Sequence, residues 1–81
     1  NNKEYFKAVN LDILEGLAEK IKSGSLSLQT LIENGIVGKN DKVKVLGRGE
    51  LKAKVSVEAH AFSASATQAI EKIGGTATTV K

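Results

Sequence analysis

The chain has 81 residues, 12 of them Lys or Arg and 9 Asp or Glu, for a net charge of +3. That length supports one domain with a single compact core and little material to wall a deep pocket. The absence of Cys excludes a disulfide framework and a thiolate metal site, and no stretch approaches the roughly 18 apolar residues of a membrane span.

In chain order, "YFKAVNL" (5–11) alternates as a strand does, with Phe6 and Ala8 on one face and Tyr5, Lys7 and Val9 on the other. "LDILEGLAEKIKSG" sets Leu14, Leu17, Ala18 and Ile21 at helical spacing, with Asn10 or Asp12 as a cap and Ser23-Gly24 as the stop. "SLQTLIENG" predicts a short second helix capped by Ser27, with Leu28, Leu31 and Ile32 inward and Asn34-Gly35 closing it. After a loop at "IVGKND", the runs "KVKVL" and "LKAKVSVEAHA" alternate with period two. In the second run Leu51, Ala53, Val55, Val57, Ala59 and Ala61 share the buried side, opposite Lys52, Lys54, Ser56, Glu58 and His60. Ala66, Ala69, Ile70 and Ile73 mark a last helix, capped by Ser63 or Ser65, and Ser65 with Gln68 fits a capping box. Gly74-Gly75 ends that helix, and "TATTV" reads as a closing strand. The expected fold is a single small mixed α/β domain, approximately β-α-α-β-β-α-β.

The charge is unevenly spread. Lys39, Lys42, Lys44, Arg48, Lys52 and Lys54 stand against Asp41 and Glu50 in one central segment, an excess of four positive charges. The remainder carries six basic residues against seven acidic ones. Such a segment is either a solvated basic face or the footprint of an acidic partner. The chain contains no Met, and "NNKEYF" lacks the shape of a secretory signal. The expectation is therefore a piece of a longer protein, with residues 1–4 a flexible start and residues 5–81 one globular domain.

Catalytic constellations fail on spacing. A dinucleotide fingerprint needs G-x-G-x-x-G opening a helix, whereas "GRGELK" lacks the third glycine and runs into a strand. Gly47 and Gly49 read instead as a connection between strands that permits positive φ. His60, the sole histidine, has only Glu58 nearby and no nucleophile or second ligand. Asp12, Glu15 and Glu19 form a solvated acidic helix face with no pocket to shift their pKa values. Ser63, Ser65 and Thr67 cluster at a helix start, where they either cap it or, with His60, Lys52 and Lys54 on the approaching strand, offer an anion site. The basic segment has no interleaved aromatics, so phosphate and shape contact is expected in place of base stacking.

The stretch "KVLGRGELKAKVSVEAHAFSASATQAIEKIGG" resembles the signature of the bacterial large-subunit ribosomal protein fifteen family, which has archaeal and eukaryotic relatives. Lys44, Val45, Leu46, Gly47, Gly49, Leu51, Val55, Val57, Phe62, Ser63, Ala66, Ile70 and Gly74 all fall on the pattern, and "AVNLDILE" and "LIENGIV" resemble the preceding half of that family's C-terminal domain. The resemblance implies a non-catalytic constituent of the large subunit in the cytoplasmic ribosome, without a cofactor or metal. Its expected partners are large-subunit (23S-type) ribosomal RNA and neighbouring large-subunit proteins. It also implies that an N-terminal RNA-threading extension lies outside this chain, which would itself be a monomer when isolated. Expected RNA contacts are Arg48 first, then Lys52 and Lys54, with Lys39, Lys42, Lys44, His60, Ser63 and Ser65 around them, and Gly47, Gly49 and Gly74 as structural turns. The alternative is a protein–protein module that sets its basic strand face against an acidic partner.

Overall fold

A computed structural model describes residues 6–22 and 24–80. The expectations placed on residues 1–4, on Tyr5, on Ser23 and on Lys81 lie outside these residues. The elements run β1 (Phe6–Asn10), α1 (Leu11–Ile21), β2 (Ser25–Leu26), α2 (Leu28–Glu33), β3 (Lys42–Leu46), β4 (Ser56–Ala59), β5 (Ala61–Phe62), α3 (Ala64–Lys72) and β6 (Thr76–Thr79). This is the small mixed α/β domain that the patterning predicts. Its detail is that strands alternate between two parallel three-stranded sheets, β1-β3-β5 and β2-β4-β6.

That alternation explains where the sequence misleads. The period-two run over 51–61 predicts one strand, yet residues 51–55 join no ladder and the chain changes sheets at His60. Leu51, Val55, Val57 and Ala59 are all buried, so the alternation reports an extended chain with one covered side. It does not report hydrogen-bond partners. Gly47 to Gly49 link β3 to β4, but those strands lie in different sheets. The two-residue β2, paired with β4 at Leu26↔Val57, is too short to leave a periodic signal.

The helices follow the sequence more closely. On α1, Leu11, Leu14, Leu17 and Ala18 are buried. Asn10 occupies its N-cap but makes no side-chain cap bond, and the Leu11 N–H donates to the Arg48 carbonyl at 2.8 Å. The helix stops at Lys22, which adopts φ 52°, one residue before the expected Ser-Gly. Ser27 caps α2 through Oγ, which accepts from the Thr30 N–H at 3.2 Å. α2 and α3 end alike. Ile36 N–H donates to Leu31 O and Gly35 N–H to Ile32 O, just as Gly75 N–H donates to Ile70 O and Gly74 N–H to Glu71 O. These are Schellman closures, with Gly35 and Gly74 at φ 74° and 86°. The core is aliphatic, with Val9, Val43, Val45 and Val57 of the sheets packed against Leu14, Leu31, Ala66 and Ile70 of the helices.

Candidate nucleic-acid interface

Leaving β3, the chain turns through Gly47, Arg48 and Gly49 against the first turns of two helices. A Cβ on Gly47 would collide with the Ser65 hydroxyl and lie 2.8 Å from Ser65 Cβ. Gly47 is therefore required by close approach; its φ is not positive, contrary to the sequence reading. Gly49 needs both freedoms, with φ 84° and a virtual Cβ 2.7 Å from Asp12 Cβ and 3.0 Å from Asp12 N. With the Arg48 carbonyl bonded to Leu11 N–H, the turn is wedged between the N-termini of α1 and α3. The Arg48 side chain is exposed and, among the described residues, forms no ion pair. Its charge adds to the positive ends of two helix dipoles, and its planar fork suits a phosphate.

The two serines divide their roles. Ser63 Oγ accepts from the Ala66 N–H at 3.1 Å and its own N–H donates to Val45 O, so Ser63 caps α3. Ser65 lies inside the helix, which begins at Ala64, and so the 65–68 capping box does not form. Its exposed hydroxyl stands 3.3 Å from Ser63 Oγ, beside Gly47. The structure thus brings Ser65 to the Arg48 turn and engages Ser63 in the helix.

The lysines separate into three places. Lys42 and Lys44 lie along β3 beside Phe6 and Ala8 of β1, while Lys39 is exposed in the loop that Asp41 closes by accepting the Gly38 N–H. His60 sits next to β3 with its Nδ1 accepting the Val43 N–H at 2.9 Å and its own N–H donating to Val43 O. The backbone of β3 therefore orients the imidazole, not Glu58. Lys52 follows Gly49 and Glu50 at the rim of a shallow groove that also includes Lys72 of α3. Its ammonium approaches Glu50 at 3.8 Å, an exposed pair of small energetic weight. Lys54 points elsewhere, its aliphatic stem over Gly74.

Two residues escape the sequence reading. Lys72 joins Lys52 only through tertiary packing. Glu15 belongs to no free acidic face, because its Oε1 accepts the Lys52 N–H at 2.8 Å and the Ala53 N–H at 3.0 Å. The bonds from Ala53 and Lys52 hold the Glu15 carboxyl below its ordinary value of 4.5, since they favour the charged form. This carboxylate replaces the ladder that residues 51–55 lack. Among the described residues, no cluster of His, Asp and Glu could hold a metal, and no helix is long and apolar enough to cross a membrane.

This wedge of glycines, Arg48 and the capped α3 lies within residues 8–78, which match the family model that groups ribosomal proteins 50S-L15 and 50S-L18e with their 60S counterpart. The chain belongs to that family. It corresponds to the family's C-terminal domain, and the family is one of structural ribosomal proteins, not enzymes. The chain is 50% identical over 76 residues to large ribosomal subunit protein uL15 of Amoebophilus asiaticus, covering 94% of this chain and 50% of that protein. It is also 50% identical over 80 residues to the protein of the same name from Cytophaga hutchinsonii, covering 98% and 53%. A third, from Flavobacterium johnsoniae, is 48% identical over 81 residues, covering 99% and 53%. The chain thus spans about half the length of these relatives.

Proposed function

We propose that this domain is a structural constituent of the large subunit of the cytoplasmic ribosome. In this reading it grips ribosomal RNA by phosphate and shape contacts, touches neighbouring subunit proteins and supports assembly. The observation that carries the reading is the Arg48 turn, an exposed guanidinium on a backbone fixed between two helix N-termini. A rigid, glycine-lined projection can approach a folded RNA backbone closely, and a phosphate there meets a fork of N–H donors. Lys42, Lys44, Lys39, Lys52 and Lys54 act as point charges at their separate places, with Ser65 beside Arg48 as a neutral donor; Ser63 and His60 contribute by holding α3 and the β3–β5 junction. The domain is a monomer on its own, and relatives of twice its length suggest further RNA contacts outside it.

The test is a titration of the domain against large-subunit ribosomal RNA at two salt concentrations, beside Arg48→Ala and a Lys52→Ala/Lys54→Ala double variant. Binding should weaken as salt rises, and Arg48→Ala should lower the slope of log affinity against log salt by about one. The double variant should lower it further. Identical slopes for all three proteins would refute this assignment of the contact. A shallow slope with fixed stoichiometry toward an acidic protein would support the protein–protein alternative.

A further inference from the structure

A groove beside the first sheet shares Lys42 and His60 with the contacts above but lies apart from the Arg48 turn. Phe6, Lys42, His60, Thr79 and Val80 line this open space of about 370 Å³. The parallel register sets Phe6 directly beside Lys42, and the Phe6 side chain is 44% exposed. Because His60 Nδ1 accepts the Val43 N–H, the ring proton sits on Nε2 and that edge of the imidazole is a donor. Thr79 adds a hydroxyl that can donate or accept.

We propose that this groove receives one unpaired nucleotide of RNA, its base against the Phe6 ring and its phosphate toward Lys42. The inference rests on the RNA-binding reading and adds a stacking face, Phe6, to two residues already expected at RNA, Lys42 and His60. An exposed ring in contact with water supplies a stacking face for any base. The imidazole Nε2–H and the Thr79 hydroxyl offer hydrogen bonds to a base edge or sugar, and unpaired nucleotides present such edges where duplex RNA hides them. The volume is near the lower end of ligand sites, roughly 300–1,000 Å³, which suits one nucleotide. Charge complementarity favours an anionic occupant: Lys42 and Lys44 stand two positions apart on one side of β3, so the strand brings two cations to this edge.

The experiment is an NMR titration of the whole chain with a single-stranded RNA of about five nucleotides, and with the same RNA carrying an abasic sugar at its centre. The intact RNA should shift the His60 ring and the Thr79 and Val80 amides. The abasic RNA should bind roughly 5- to 100-fold more weakly, as should Phe6→Ala toward the intact RNA. Phe6→Tyr, which keeps the ring, should retain affinity, and amide spectra check that each variant is folded. Equal affinity for both RNAs, or no change with folded Phe6→Ala, would overturn the proposal. So would an oligoglutamate peptide that shifts the same resonances as strongly, which would give the groove to a protein. If the groove is silent while salt-sensitive, Arg48-dependent binding to ribosomal RNA persists, this site alone falls. Absence of any RNA binding would remove both readings.

Discussion

The turn at 47–49 and the segment at 50–54 are neighbours in sequence, and both present cations to solvent, yet they are held by opposite means. The turn is fixed by shape, with glycines pressed on Ser65 and Asp12 and a backbone carbonyl on Leu11 N–H. The following segment is fixed by charge, through one carboxylate oxygen of Glu15 that gathers two backbone N–H groups. Shape is indifferent to pH and intolerant of a methyl group. A carboxylate latch tolerates changes of side chain on the segment it holds but depends on its ionisation. Arg48 is thereby placed on a rigid mount and Lys52 on one that can be released.

The largest expected effect comes from adding a methyl group to the turn. Gly49→Ala forces a side chain into φ 84° and against Asp12 Cβ and N. Strain of about 1–3 kcal/mol and overpacking of similar size follow, so a loss of about 2–6 kcal/mol is expected in urea denaturation. Gly47→Ala meets Ser65 without the φ penalty. Combining it with Ser65→Gly should recover only part of its loss, because the hydroxyl and Cβ contacts go while the Ser65 backbone carbon still lies 2.9 Å from the added Cβ. A fully stable Gly49→Ala would show that the turn is not wedged as described.

A smaller effect separates the two serines beneath the turn. Ser63→Ala removes the acceptor for the Ala66 N–H and should cost about 1 kcal/mol, the usual worth of an N-cap. Ser65→Ala leaves that cap intact and should change stability by less than about 0.5 kcal/mol. Thermal unfolding of the two variants side by side decides which serine is the cap. The reverse ranking would move the start of α3 by two residues.

The same contrast accounts for what can be read from the sequence. Ser27, Leu14, Leu17, Ala18, Ile70 and the alternating KVKVL run are legible because capping, helical spacing and strand alternation are local. The division into two parallel sheets is not, since register is decided between residues such as Ala8 and Lys44 that lie far apart in the chain. Asn10 has the chemistry of a cap, but the Leu11 N–H beside it is taken by Arg48 O from across the fold. The glycines of the turn are visible as special positions, while the distinct reasons for each emerge only with Ser65 and Asp12 in place. Phe6 falls in a strand, as the alternation predicts. That its ring stands exposed beside Lys42 follows from pairing with β3.

The smallest expected effect, and the one that breaks the latch without touching the turn, is protonation of Glu15. Its folded-state pKa lies below the ordinary 4.5 because the Ala53 and Lys52 N–H groups stabilise the carboxylate. The folded state therefore binds this proton less readily than the unfolded state, and stability rises with pH across the interval between the two values. The contribution is fully present above about pH 4.5 and is lost as pH falls through the lower folded value. Glu15→Gln keeps an oxygen acceptor but no titrating charge. The difference in stability between wild type and Glu15→Gln should thus be constant near neutrality and close below pH 4.5, when followed by urea denaturation across that range. Hydrogen exchange supplies the local reading: the Lys52 and Ala53 amides should lose protection in the variant, whereas the Leu11 amide, held by Arg48 O, should keep it. Equal loss at all three amides would mean that turn and segment open together, and that one device holds both.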